Sequence, residues 1–221
     1  MKFFIIAFVF SASFLSCGQL ISGDFDPTGD SLLLSLGDSY TIGTGVRTRE
    51  AFPFQFNSYI PGAGKPEIVA QFGWKTSDLL DALGSYTAPI TLEYVTLLIG
   101  VNNIYTQTPF SVYQTEFPLL LDLALSYVGD DPSKVRVISI PDYRYTPVGR
   151  DFSYPGISDL IDSYNDYAES VATSEGVEIV YITDISRQGF VRPELVSQDG
   201  IHLSGIAYRE IAARLVDSFL P

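Results

Sequence analysis

Residues 32–40 read Leu32-Leu33-Leu34-Ser35-Leu36-Gly37-Asp38-Ser39-Tyr40. Four leucines around one serine make an apolar run of strand length, and the glycine and aspartate that follow are turn residues. A run with no polar alternation suits a strand buried on both faces, as in the interior of a parallel sheet.

Further along the chain the same kind of run recurs. Ile68-Val69-Ala70, Val95 to Ile99, Val135 to Ile140 (closed by Pro141) and Val177 to Ile182 read as four more strands. Helical spacing separates them. It covers Glu50 to Ile60, interrupted early by Pro53, and Thr76 to Leu83, with Thr76 or Ser77 available as N-cap. It returns in Phe110 to Val128, stopped by Gly129, and in Ile157 to Thr173, ended near Gly176. A last amphipathic stretch runs from Ser204 to Phe219, with Ser204 placed to cap it. Five strands alternating with five helices imply one α/β domain over residues 31–221, built on a five-stranded parallel sheet covered on both faces. Ligand sites in such sheets lie beyond the carboxyl ends of the strands.

The chain has 221 residues, is 46% hydrophobic and carries a formal charge of −13. That size suits one domain with an ample core. The acidic balance argues against a nucleic-acid partner, because little would neutralise phosphates. A monomer is expected.

The first residues read as an export signal. Lys2 precedes the apolar stretch Phe3 to Phe10, then Ser11-Ala12-Ser13-Phe14-Leu15-Ser16-Cys17. The stretch is shorter than the roughly 20 residues a spanning helix needs. Cys17 is the single cysteine, so no internal disulfide can form. Leu15-Ser16-Cys17 resembles the end of a bacterial lipoprotein signal, with Phe14 where that pattern usually has leucine. The resemblance implies a leader over 1–16, acylation of Cys17, a polar tether over 17–30 and a lipid anchor on a bacterial envelope membrane. Secretion of a soluble protein is the alternative.

Chemistry concentrates where strands end. Ser39 follows the first strand in a tight turn, a good place for an exposed nucleophile. The α/β-hydrolase elbow Gly-x-Ser-x-Gly is not met, because Thr41 fills its last position. A hydroxyl nucleophile near neutral pH needs a base, and His202 is the one histidine in the chain. Asp199 precedes it by three residues, with Gly200 between to permit a bend. An aspartate there can hold the imidazole in one tautomer. Gly73, after the second strand, could offer an unobstructed N–H to an oxyanion, and Asn102, after the third, its amide. Taken singly, each of these is as readily an ordinary turn residue. No histidine pair, cysteine pair or carboxylate cluster has metal-ligand spacing, so no metal or other cofactor is expected.

In order, Gly37-Asp38-Ser39-Tyr40, Gly73, Gly100-Val101-Asn102-Asn103 and Asp199-Gly200-Ile201-His202 resemble the SGNH (GDSL-type) esterase and lipase family over residues 32 to about 215. The resemblance implies a three-layer, flavodoxin-like α/β/α sandwich. It makes Ser39 the nucleophile and an oxyanion donor, with Gly73 and Asn102 completing the hole. His202 becomes the base and Asp199 its orienting partner. Tyr40 replaces the leucine of the family name, and Asn103 the usual aspartate after the block asparagine. The implied activity is hydrolysis of a carboxylic ester through an acyl-enzyme, with a short-acyl carbohydrate ester as the leading substrate. A lysophospholipase or thioesterase on longer chains is the alternative, as is a binding lipoprotein without turnover. Tyr40, Trp74, Asn103, Tyr105 and Tyr143 are the candidate substrate contacts, with Tyr145 beside them. The same aromatics would serve equally as core. The stretch Pro141 to Arg150 reads as a substrate-facing loop, in which Arg144 or Arg150 could meet an anion or simply face solvent.

Overall fold

The computed structural model describes residues 28–152 and 155–220; the expected leader, Cys17 and most of the tether lie outside them. Strands β1 (Leu33–Gly37), β2 (Glu67–Ala70), β3 (Tyr94–Leu98), β4 (Val135–Ile138) and β5 (Glu178–Val180) form one sheet in the order β2-β1-β3-β4-β5. Every neighbouring pair is parallel. All five residues of β1 are buried, as its unbroken apolar run requires. Its leucines Leu33, Leu34 and Leu36 are fully buried, each contributing about 2 kcal/mol relative to exposure. Ser35 fits among them because its hydroxyl accepts from Thr96 Oγ1 on β3 at 2.9 Å.

Helices α1 (Ser39–Ile42), α2 (Phe52–Asn57), α3 (Thr76–Leu83), α4 (Val101–Tyr105), α5 (Phe110–Ser126), α6 (Ile157–Ser174), α7 (Thr183–Ser186) and α8 (Gly205–Phe219) complete the domain. The three-layer sandwich follows: α2 and α8 pack together, while α3, α5 and α6 pack in a row. The spacing of buried residues on α8, Ala207, Tyr208, Ile211, Ala212 and Leu215, is that of a helix with one face against the core. Ser204 caps it, accepting from Ala207 N at 3.3 Å.

Several boundaries differ from those expected. Helix α2 starts at Phe52, not Glu50, because Pro53 sits in its first turn, where its missing N–H costs nothing. Thr76 is inside α3 rather than its cap; the preceding residue, Lys75, takes that position, its N–H bound by Asp78 Oδ2 at 2.8 Å. The last strand is shorter than residues 177–182, because the N–H of Ile182 turns to Ser139 Oγ at 2.8 Å. Pro118 lies within α5 and cannot donate to the carbonyl of Gln114. The hydroxyl of Tyr167, on α6, donates to that carbonyl at 2.7 Å. The short helices α1, α4 and α7 span four or five residues, too few to show a period.

After β1 the chain moves outward to β2, then crosses back over β1 to β3 and proceeds the other way. The carboxyl ends of β1 and β3 therefore flank the point where the winding reverses, the usual ligand crevice in such folds. Ser39 follows β1 and Asn102 follows β3.

Candidate active site

Helix α1 begins at Ser39, two residues beyond the end of β1. Asp38 caps it, accepting from Tyr40 N at 2.9 Å. The turn needs Gly37, since a Cβ there would run into the Thr41 side chain and the Leu98 carbonyl. As first residue of the helix, Ser39 has an N–H without an intrahelical acceptor. Asp38 itself is buried, and burial pushes its carboxyl up to about 7 although the Tyr40 N–H works the other way.

His202 arrives from the far end of the chain. Its Nε2 lies 3.0 Å from Ser39 Oγ, and its Nδ1 lies 2.7 Å from Asp199 Oδ2. The three-residue spacing works because Gly200 takes φ +77° and folds the loop back on itself. The other carboxylate oxygen, Asp199 Oδ1, accepts from Ser197 Oγ at 2.7 Å and from the N–H groups of Ile201 and His202, both at 2.9 Å. Burial alone would raise the Asp199 carboxyl; these donors and the His202 ring outweigh it and bring the group down to about 2. It is a carboxylate at any working pH, able to fix the imidazole and to stabilise its cation.

Ser197 was not apparent as a site residue in the sequence, nor was the reason for Gly45. That glycine has φ +87°, and a Cβ on it would strike Ser197 Oγ and Asp199 Oδ2. The loop after α1 thus presses on the Asp199 carboxylate. From the other side, Val148 N donates to Gly200 O at 2.9 Å, so the Pro141–Arg150 stretch docks on the histidine loop.

Gly73 stands third in the turn Gln71–Trp74, which is closed by Trp74 N to Gln71 O at 3.3 Å. Its φ of +81° is what a turn of this kind asks of glycine. Asn102, on α4, donates from Nδ2 to Trp74 O at 2.9 Å, bringing block three against block two. One Nδ2 hydrogen remains for another acceptor.

The expected substrate contacts divide. Asn103 is fully buried and does not face a ligand: its Oδ1 accepts from Thr76 N at 3.1 Å and its Nδ2 donates to Thr76 Oγ1 at 2.7 Å. Thr76 Oγ1 in turn donates to Glu116. Asparagine supplies a donor there that an ionised aspartate would lack. Tyr143 is also buried, its ring packed against that of Phe152 at 5.8 Å between centres. Tyr40 is 4% exposed; its ring stands 5.1 Å from that of His202 and its hydroxyl donates to Ile201 O at 3.3 Å. Trp74 is half-buried, and Tyr105 is half-exposed, 5.2 Å from Phe152. Tyr145 pairs with Phe190 at 5.9 Å. Arg144 is half-buried, and its Nη1 donates to the carbonyls of Gly149, Arg150 and Phe152, stapling its own loop. Arg150 pairs with Asp151 at 3.5 Å.

One aromatic was missed. Phe72, next to Gly73, is 63% exposed with its ring 5.9 Å from that of His202. Nothing in the spacing separates it from a core phenylalanine. Among the described residues, no three His, Cys, Asp or Glu side chains gather to hold a metal ion.

A hydroxyl, an imidazole and a carboxylate in line, beside N–H donors, can carry out acyl transfer. The comparisons agree. The GDSL-like lipase/acylhydrolase family model matches residues 35–210. No curated protein matches the chain. Among solved structures, the lipase/acylhydrolase of Enterococcus faecalis is 19% identical, with a TM-score of 0.64 over 85% of this chain and 94% of its own. A member of the lipolytic protein G-D-S-L family from Veillonella parvula is 16% identical, with a TM-score of 0.62 over 86% and 98%. The acetylxylan esterase Axe2 of Geobacillus stearothermophilus is 16% identical, with a TM-score of 0.60 over 89% and 97%. At these identities the structures speak for the shared fold, while the family match takes in all four motif blocks. The chain therefore belongs to the GDSL-like lipase/acylhydrolase family and is a carboxylic ester hydrolase.

Proposed function

We propose that this hydrolase is a serine esterase that cleaves short-acyl esters of carbohydrates through an acyl-enzyme. The observation that carries the mechanism is the continuous line Ser39 Oγ, His202 Nε2, His202 Nδ1, Asp199 Oδ2. His202 takes the Ser39 proton as Oγ bonds to the ester carbon. The N–H groups of Ser39 and Gly73 and the Asn102 amide hold the resulting oxyanion. As the carbon–oxygen bond to the alcohol breaks, His202 returns the proton to the departing oxygen. Water then repeats the cycle on the acyl-enzyme and frees the acid. Asp199 stabilises the imidazolium in both halves. No step calls for a metal, so turnover is expected to survive chelators.

Two things support the substrate reading: exposed aromatic rings, Phe72 and Tyr105, beside the motif blocks, and a neighbour of the same fold that is an acetylxylan esterase. A series of nitrophenyl esters from acetate to laurate tests it. Highest kcat/KM at two to four acyl carbons is expected; a maximum at long chains assigns the enzyme to lysophospholipid or thioester substrates instead. A fluorophosphonate probe should label Ser39, and absence of labelling marks a binding protein of the same fold.

We place the enzyme, as a monomer, on a bacterial envelope membrane through diacyl or triacyl Cys17, following the short apolar leader. Stable anchoring generally takes more than one chain, which such a cysteine provides. Mass spectrometry of the native N-terminus tests this, and an unmodified terminus means ordinary secretion.

A further inference from the structure

Two aromatic rings touch the imidazole of His202, and they differ in access. Tyr40 is 4% exposed, and its hydroxyl is tied to the Ile201 carbonyl. Phe72 is 63% exposed. Its position is set by a braced turn: Gln71–Trp74 closes on itself, Gly73 supplies the positive φ, and Asn102 holds the Trp74 carbonyl. A phenyl ring left in water beside a reacting group, on a backbone this well held, costs apolar hydration that a bound ligand would recover.

The proton path fixes which part of a substrate meets that ring. His202 Nε2 hands its proton to the oxygen of the departing alcohol, so that oxygen lies within hydrogen-bond reach of Nε2. The alcohol half is thus the part of the ester joined to the atom next to the imidazole, and Phe72 is the accessible ring beside that imidazole.

We propose that Phe72 is a binding platform for the alcohol half of the ester, and that its flat, donor-free face takes the C–H face of a sugar ring. The choice of a sugar rests on the carbohydrate-ester reading above. Phe72 contributes by contact and desolvation, so its effect falls on binding of ring-bearing alcohols and sets leaving-group preference, not acyl preference.

The test compares a monoacetylated methyl xyloside with ethyl acetate, which share the acyl group and differ in the alcohol. For the full enzyme and for Phe72→Ala, kcat and KM are measured on both. The ratio of kcat/KM for the sugar ester to that for ethyl acetate is expected to fall about tenfold in Phe72→Ala, in keeping with the loss of one aromatic contact. The fall should lie mainly in KM for the sugar ester, and Phe72→Trp should keep the ratio. An unchanged ratio, or a loss equal on both esters, overturns the platform while leaving the substrate reading intact. A wild-type enzyme that turns over ethyl acetate but not the sugar ester overturns the substrate reading and the sugar platform together.

Discussion

Asn102 Nδ2 donates to the Trp74 carbonyl at 2.9 Å, so one residue both braces the turn that carries Gly73 and keeps a hydrogen free for an oxyanion. We predict that Asn102→Ala lowers kcat far more than it raises KM, with the rate falling about 10²- to 10³-fold. Steady-state kinetics on a short-acyl ester checks this. A loss lying wholly in KM would make Asn102 a binding residue.

The neighbouring Asn103 has a different task, and its substitution should show it. Asn103→Asp replaces a donor to Thr76 Oγ1 with a second acceptor, beside the Glu116 carboxylate that this hydroxyl already serves. A buried group losing its partner costs about 1 to 3 kcal/mol. We predict a loss of that size in urea unfolding at pH 8, shrinking as the pH is lowered and the new carboxyl takes up a proton. Unaltered stability at both pH values would show that the Thr76 contact carries no net weight.

Asp38 gives the native state a pH dependence of its own. Its carboxyl keeps its proton to about pH 7 when folded, against the ordinary value of 3.8. Across that window the native state binds more protons than the unfolded chain, so this contribution is full below about pH 4 and is lost as the pH rises to about 7. Asp199 acts in the opposite sense at lower pH: its contribution is present above 3.8 and lost towards about 2. We predict that the stability of wild type relative to Asp38→Asn falls between pH 5 and pH 7.5, then levels off. Asparagine keeps an acceptor for the Tyr40 N–H, so the comparison isolates the proton. A flat difference over this range would mean that Asp38 titrates normally.

Pro118 and Tyr167 form a compensating pair across α5 and α6. We predict that Tyr167→Phe costs about 1 kcal/mol, the net worth of a typical hydrogen bond. The cost should shrink in a Pro118→Ala background, where an N–H at residue 118 can reach Gln114 O directly. A double-mutant cycle by denaturant unfolding measures this, and full additivity would argue that the carbonyl is satisfied by water instead.

The strands and long helices were legible because burial imposes a period on many residues at once, as Leu33 to Leu36 and Ala207 to Leu215 show. The meeting of Ser39, Asp199 and His202 was legible because four blocks in order resemble one family, with one histidine in the chain to serve as base. Residues that act through the backbone or by position were not. Ser197 meets Asp199 from two residues away, where a serine reads as any turn residue, and no local pattern announces the contact of Gly45 with Asp199 across more than 150 positions. Phe72 reads like any other phenylalanine until the fold leaves it exposed beside an imidazole. Asn103 looked like a site residue because it adjoins one, yet on a helix successive residues face different ways: Asn102 meets Trp74 and Asn103 meets Thr76.

The most direct measurement is ester turnover by folded, pure His202→Ala, with circular dichroism and melting temperature matched to wild type. The 3.0 Å contact between His202 Nε2 and Ser39 Oγ puts His202 where the base of the proposed reaction would act in both halves. We predict that kcat/KM falls about 10⁴- to 10⁶-fold, as it does when a nucleophile or its base is removed. Turnover at the wild-type rate would contradict the serine mechanism outright.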